Sequence, residues 1–223
     1  MSSGIFITGT DTGVGKTYIG TGIASALRMQ GIDVGVMKPA ETGCPVRRVN
    51  LMPNDTLALM RAAGVKDPLD LVNPYRFRAP LAPSVAAVHE EMPIDMRRLV
   101  AAFRKLEGRH QFMIVEGAGG ILVPLTARRS FLDLAELLGL PVLIVARPGL
   151  GTINHTLLTV MALNQRKLPI AGIVINCSLN QRAGEAERSN PGVIERRSGV
   201  PIVGIVRHGQ KDLSGLAHRL IGK

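Results

Sequence analysis

Gly9-Thr10-Asp11-Thr12-Gly13-Val14-Gly15-Lys16-Thr17 follows a short apolar run, Gly4–Thr8, and leads into a stretch where Ile19, Ile23, Ala26 and Leu27 recur at i, i+4, i+7 and i+8. A strand, a glycine-rich turn and an amphipathic helix in that order make a phosphate-binding loop. The glycines let backbone N–H groups point inward at phosphate oxygens, and the helix N-terminus adds partial positive charge. Lys16 reaches the terminal phosphates, and the Thr17 hydroxyl can hold Mg2+. The usual GxxxxGKT spacing puts its first glycine at position 10, where this chain has Thr10, with Gly9 one residue early.

Outward from this loop, short β-branched apolar runs alternate with helical stretches, the pattern of a mostly parallel sheet with helices on both faces. Gly4–Thr8, Val34–Lys38, Phe112–Glu116, Val142–Ala146, Ile170–Asn176 and Ile202–Val206 are the predicted strands. Met96, Leu99, Val100 and Phe103 form one buried helix stripe, and Phe131, Leu134, Leu137 and Leu138 another. A helix over Pro191–Ser198 is bracketed by Asn190 as N-cap and Gly199 beyond its end. No repeat or linker interrupts the alternation, so residues 1–223 read as a single P-loop NTPase-like α/β domain. The segment Asn73–Ser84, with three prolines, is expected to be a long ordered loop, and the polar Ser178–Ser189 a mobile one. In such sheets ligands bind beyond the carboxyl ends of the strands.

Composition narrows the function classes. The formal net charge of +10 favours polyanions, yet the basic residues are scattered pairs, with 3% aromatics and no Trp for base stacking, so no nucleic-acid partner is expected. The longest apolar run, Leu140–Ala146, is far short of a membrane span, and the first residues lack the basic segment of a secretory signal. The expectation is a cytoplasmic chain without a membrane partner. Cys44 and Cys177 have no CxxC or His-rich neighbourhood and read as reduced thiols, and the five histidines show no paired metal spacing.

A nucleotide site of this type also needs carboxylates. Glu116 ends the apolar run from Phe112 and precedes Gly117-Ala118-Gly119-Gly120, which places it at a strand tip where backbone can approach a ligand closely. Asp55 is the second candidate, although a carboxylate there, considered alone, is more often a helix-start residue favoured by the dipole. Lys38, before Pro39 at another strand end, could offset charge on a transferring phosphoryl group together with Lys16. Asn176 could hydrogen-bond a nucleobase edge or cap its strand.

The set Gly9-Thr-Asp-Thr-x-Val-Gly-Lys-Thr17, Lys38-Pro with Thr42-Gly43, Asn54-Asp-x-x-Ala-Leu, Asn73-Pro-Tyr-x-Phe-x-x-Pro, Val115-Glu-Gly-Ala-Gly-Gly120, Leu150-Gly-x-Ile-Asn-His155 and Gly172-x-Val-x-Asn176 resembles the dethiobiotin synthetases. The resemblance implies Mg2+- and ATP-dependent ring closure on 7,8-diaminopelargonic acid. One amine captures CO2 as a carbamate, ATP phosphorylates it to a carbamic–phosphoric anhydride, and the neighbouring amine displaces phosphate to close the urea. It further implies Lys16 and Lys38 as catalytic cations and Thr17, Asp55 and Glu116 as Mg2+ ligands. Gly13, Val14, Gly15, Lys16, Thr17 and Tyr18 would hold the nucleotide phosphates, with Gly117, Ala118 and Gly119 beside them.

By the same resemblance, Asn176 reads adenine, and Cys177, Arg207, His208 and Gly209 frame the base. Thr42 meets the carbamate or amine end. The family is homodimeric, with Gly151, Thr152 and Asn154 receiving the substrate carboxylate at a helix N-terminus of the partner. Two residues depart from the family pattern: Arg207 stands where proline is common, and Glu41 puts a carboxylate beside Thr42, where it is expected to point away. Positioning ATPases of the ParA/MinD kind share the fold, but carry a second lysine where this chain has Asp11. A cobyrinate-type amidating synthetase would need a glutaminase domain for which 223 residues leave no room.

Overall fold

The computed structural model describes residues 3–180 and 184–221. In chain order the elements are β1 (Gly4–Gly9), α1 (Lys16–Met29), β2 (Val34–Met37), β3 (Ala40–Glu41), β4 (Val46–Arg47), β5 (Asn50–Leu51), α2 (Asn54–Ala63), α3 (Leu69–Val72), β6 (Tyr75–Arg76), α4 (Pro83–His89) and α5 (Met96–Glu107). They continue with β7 (Phe112–Gly120), α6 (Phe131–Leu138), β8 (Val142–Ala146), α7 (Thr152–Gln165), β9 (Ile170–Asn176), α8 (Glu185–Ser198), β10 (Ile202–Val206) and α9 (Ser214–Ile221).

One six-stranded sheet of order β10-β9-β8-β1-β7-β2 forms the centre, and its strand pairs are all parallel. The inner strands β1 and β8 are buried along their whole length, as continuous apolar runs covered on both faces must be. Helix α1 buries Ile19, Ile23, Ala26 and Leu27, while α5 buries Leu99, Ala102, Phe103 and Leu106 with Met96 and Val100 partly covered. Each large side chain so buried contributes about 1.5–3 kcal/mol relative to exposure. Among the described residues no helix is long and apolar enough to cross a membrane.

All six predicted strands are present, with β7 running four residues past Glu116 to Gly120. Four local expectations need correction. Leu137 is half exposed, because the α6 stripe continues through Ala135 instead. Helix α8 starts at Glu185, not Pro191; Pro191 lies inside it, and Asn190 donates its side-chain N–H to Pro148 O (2.9 Å) and Gly149 O (3.3 Å) rather than capping. The expected mobile loop therefore shrinks, since Glu185–Ser189 is helical and residues 181–183 lie outside the described residues. The 73–84 loop carries the two-residue strand β6, which pairs with β3, and its last prolines lead into α4.

At the end of the sheet away from the glycine loop, His110 lies against Gly35, its Nδ1 at 2.9 Å from Asp33 Oδ1 and its Nε2 at 2.8 Å from Asp67 Oδ2. Burial opposes its charge, but the two carboxylates prevail and raise its pKa above the ordinary 6.5. Burial likewise opposes the charge on Asp67, yet Arg109 and His110 lower its pKa below the ordinary 3.8. The His110 share of stability is complete below its unfolded value near 6.5 and is lost as pH rises through the higher folded value. The Asp67 share is complete above about 3.8 and is lost as pH falls through its depressed value. We expect the melting temperature to decline on the alkaline side of neutrality, and His110→Asn to flatten that decline in a pH series of thermal melts. An unchanged slope would exclude His110 as its source.

Candidate active site

The β1–α1 turn can form only with glycine at two places. Gly13 has φ +75° and Gly15 φ +93°, a region that other residues rarely enter. Gly15 is also the N-cap of α1, which has no side-chain cap, so the first helical N–H groups are free of such a partner. The early glycine has its own steric reason, since a Cβ at Gly9 would come within 2.6 Å of Asp11 O and 2.9 Å of Val14 Cγ2. Thr10 instead continues the β1–β8 ladder, its N–H donating to Val145 O at 2.9 Å.

This turn forms one wall of a cavity of about 570 Å3. Lys16, Thr17, Lys38, Thr42, Asp55, Glu116, Ala118 and Gly119 line it, so residues from β1–α1, the ends of β2, β3 and β7, and the start of α2 converge there. Lys38 Nζ contacts Glu116 Oε1, reaches Asp55 Oδ2 at 3.1 Å, and approaches Gly117 O at 3.4 Å. Thr17 Oγ1 donates to the same Glu116 oxygen at 2.8 Å. The second oxygen, Glu116 Oε2, is buried with no hydrogen-bond partner among the described residues. A buried carboxylate with an oxygen to spare, a second carboxylate and a hydroxyl form a donor set that suits Mg2+, which takes few protein ligands and completes its shell with water and phosphate.

The electrostatics separate the two lysines. Burial first, and the charge on Lys38 after it, bring the Lys16 pKa down to about 8 against the opposing pull of Glu116, Asp55 and Asp11. Burial opposes the charge on Lys38 too, but Glu116 and Asp55 overcome it and hold that ammonium above its usual range. Lys38 is thus the fixed cation, and Lys16 the one whose charge a bound polyanion would reinforce.

The residues read as framing a base lie on the other side of the glycine turn. Asn176 Nδ2 donates to Val14 O at 2.8 Å, so its amide group is tied to the phosphate loop. Cys177 N–H donates to Val206 O, His208 Nδ1 lies 2.7 Å from Ser178 O, and Tyr18 Oη donates to Gln210 O at 2.5 Å, which brings the Arg207–Gly209 turn beside Cys177 and the start of α1. Cys177 helps line a separate cavity of about 210 Å3 with Arg147 and Glu187. Both cysteines are free, and burial pushes the Cys44 thiol up to about 12, in keeping with unreactive thiols.

Gly151, Thr152 and Asn154 open α7 and are not among the residues lining the main cavity. Two features escaped the sequence. The Pro80–Pro83 segment walls the cavity, and its proline density was the available signal. Glu41 does not point away: it lines the cavity, with its carboxylate bound to the first turn of α2.

A family model described as an AAA domain matches residues 3–212. Among solved structures, the MinC:MinD cell division complex of Aquifex aeolicus has a chain that superposes with a TM-score of 0.63 at 17% identity, covering 99% of this chain and 96% of that one, a likeness of fold alone. An ATP-dependent dethiobiotin synthetase of Anaeromyxobacter dehalogenans (strain 2CP-C) is 54% identical over 173 residues, covering 78% of this chain and 76% of that protein. Another from Thermodesulfovibrio yellowstonii is 42% identical over 213 residues, covering 92% and 89%. With a P-loop fold, two lysines and two carboxylates at one cavity, and relatives this similar along most of its length, the chain belongs to the ATP-dependent dethiobiotin synthetases.

Proposed function

We propose that the chain uses ATP, with Mg2+, to close the cyclic urea of dethiobiotin from 7,8-diaminopelargonic acid and CO2 supplied by bicarbonate, and that it works as a homodimer. The observation that carries this reading is Lys38, buried at the cavity wall between Asp55 and Glu116 and opposite the phosphate loop that bears Lys16. The reaction brings two anions together, a problem met by one fixed cation, Lys38, and a second, Lys16, whose charge the bound phosphates reinforce.

One substrate amine adds to CO2, forming an N–C bond and losing a proton, and the carbamate so formed meets the γ-phosphate. Its oxygen forms a bond to phosphorus as the bond to ADP breaks, with Lys38 and Lys16 offsetting the crowded negative charge. The second amine then attacks the carbonyl carbon, the bond to phosphate breaks, and a proton leaves as the ring closes. Thr42, on the cavity wall, offers a hydroxyl to the carbamate or amine end. Thr17, Asp55 and Glu116 would hold Mg2+, which supplies positive charge to the phosphates. No protein nucleophile is required.

Gly13–Tyr18 and Gly117–Gly119 would receive the phosphates, and Asn176, Cys177, Arg207, His208 and Gly209 the base. Gly151, Thr152 and Asn154 would take the substrate carboxylate of the partner subunit. What supports a dimer through α7 is that Leu158 and Met161 follow Asn154 at i+4 and i+7 and are 54% and 65% exposed, an apolar strip that a second copy could cover.

Phosphate release from ATP by purified protein tests the reading. Release that needs Mg2+, bicarbonate and 7,8-diaminopelargonic acid together is expected. Release indifferent to the diamine but stimulated by DNA or a protein partner would replace it with a ParA/MinD-like ATPase switch.

A further inference from the structure

Helix α2 lacks a cap of its own. Its N-cap residue is Pro53, which has no side-chain oxygen, and the first backbone bond of the helix, Leu57 N–H to Pro53 O at 2.9 Å, leaves the amides of Asp55 and Thr56 without a helical acceptor. Both are met from another element. Glu41 Oε1 accepts from Asp55 N–H at 3.0 Å, and Glu41 Oε2 accepts from Thr56 N–H at 3.0 Å and from Thr56 Oγ1 at 2.7 Å. A carboxylate at a helix N-terminus is also favoured by the dipole.

The donor strand is itself held. Glu41 pairs with Arg76 in the β3–β6 ladder, its carbonyl accepts from Phe77 N–H at 2.8 Å, and the side chain is 6% exposed. Asp55, by contrast, has a half-exposed side chain that meets the site through the 3.1 Å bond from Lys38. The bond from Lys38 orients the carboxylate, but where the residue stands is set by its backbone. Its backbone is fixed, through the amide that Glu41 holds.

We infer that Glu41 is a positioning residue: it caps α2 from outside and thereby sets the place of Asp55 relative to Lys38 and Glu116. This rests on the reading of Asp55 as a Mg2+ ligand. A buried carboxylate directed at three donors is an expensive way to cap one short helix, and it becomes intelligible when the first turn of that helix carries a ligand. Glu41 acts through the backbone of α2, since both of its carboxylate oxygens are engaged by the first turn of that helix.

The test uses the full chain, with Mg2+ titrated calorimetrically into protein saturated with ATP and backbone amide exchange followed by NMR. Glu41→Ala is expected to raise the Mg2+ concentration for half-saturation by about tenfold or more, the cost of removing an outer-shell support. It should deprotect the Asp55 and Thr56 amides while leaving metal-free ATP affinity within about twofold. Glu41→Gln, which keeps the size and one acceptor oxygen, should fall between wild type and Glu41→Ala on both readouts, and serves as the variant if Glu41→Ala does not fold. Asp55→Asn separates the two readings. If Asp55→Asn leaves the Mg2+ midpoint unchanged, Asp55 is not a ligand and both readings fall. If Asp55→Asn shifts the midpoint while the Glu41 variants only lower the melting temperature or leave the two amides protected, Glu41 is structural and this inference alone is overturned.

Discussion

Lys38→Ala is expected to lower turnover by about a thousandfold or more while ATP still binds within a few fold of its wild-type affinity. The reason lies in what Lys38 touches. Its ammonium bonds Glu116, Asp55 and Gly117 O at the cavity wall, whereas Lys16 reaches back to Asp11 O at 3.4 Å, within the phosphate loop itself. On the proposed reading, loss of Lys38 removes a cation from beside the attacking carbamate but leaves the loop that would hold the nucleotide. The variant should also be less stable when Mg2+ is chelated, because the buried Glu116 would face Asp55 with Lys16 but no longer Lys38 to offset the pair, and should recover stability when Mg2+ is restored. Parallel measurement of phosphate release, ATP binding and melting temperature with and without chelator checks all three. Near-normal turnover would take Lys38 out of the chemistry.

Gly15→Ala should weaken ATP binding by about a hundredfold. The backbone there has φ +93°, which costs a non-glycine residue about 1–2 kcal/mol, and the added Cβ would collide with Asn176 Nδ2. Forcing atoms into a packed site costs about 1–3 kcal/mol more, and every 1.4 kcal/mol is tenfold in affinity. Gly13→Ala is the control: its φ of +75° brings the same backbone strain, but a Cβ there meets nothing within 4 Å, so its loss should be about tenfold. Equal losses in calorimetric titrations of the two variants would mean that contact with Asn176 does not shape the loop.

What the sequence made legible follows from how each feature is encoded. The inner sheet strands are buried apolar runs, and burial on both faces writes itself into composition; β10, at the sheet edge with Ile205 half exposed, is still an apolar run, so where each strand begins was readable to the residue. Lys38 and Glu116 could be found because each ends such a run, and the end of a parallel strand is a definite place. Asp55 was readable only as an alternative, since a carboxylate in a first helical turn has two good explanations. Strands β3 and β6 are two residues long and have no period to detect. The role of Glu41 was hidden for a related reason. Its partners at 55 and 56 are backbone amides, which carry no residue-type signal, and the missing cap at Pro53 means something only once β3 is seen beside it. Asn190 and Pro191 were misread because an Asn–Pro pair fits a helix start so well that a helix already two turns old was overlooked.

The place of β7 in the sheet also bears on how the chain reaches its native state. Strand β7 lies between β1 and β2, although more than half of the chain is made before β7 is complete. As the protein emerges from the ribosome, β1 and β2 therefore have no strand to join them, and their unpaired edges invite association with other chains. The arrival of residues 112–120 closes that gap and delivers Glu116 to Lys38 and Thr17 in the same event. Nascent chains that stall short of β7 should be the species most in need of a chaperone, and none of them can carry an assembled site.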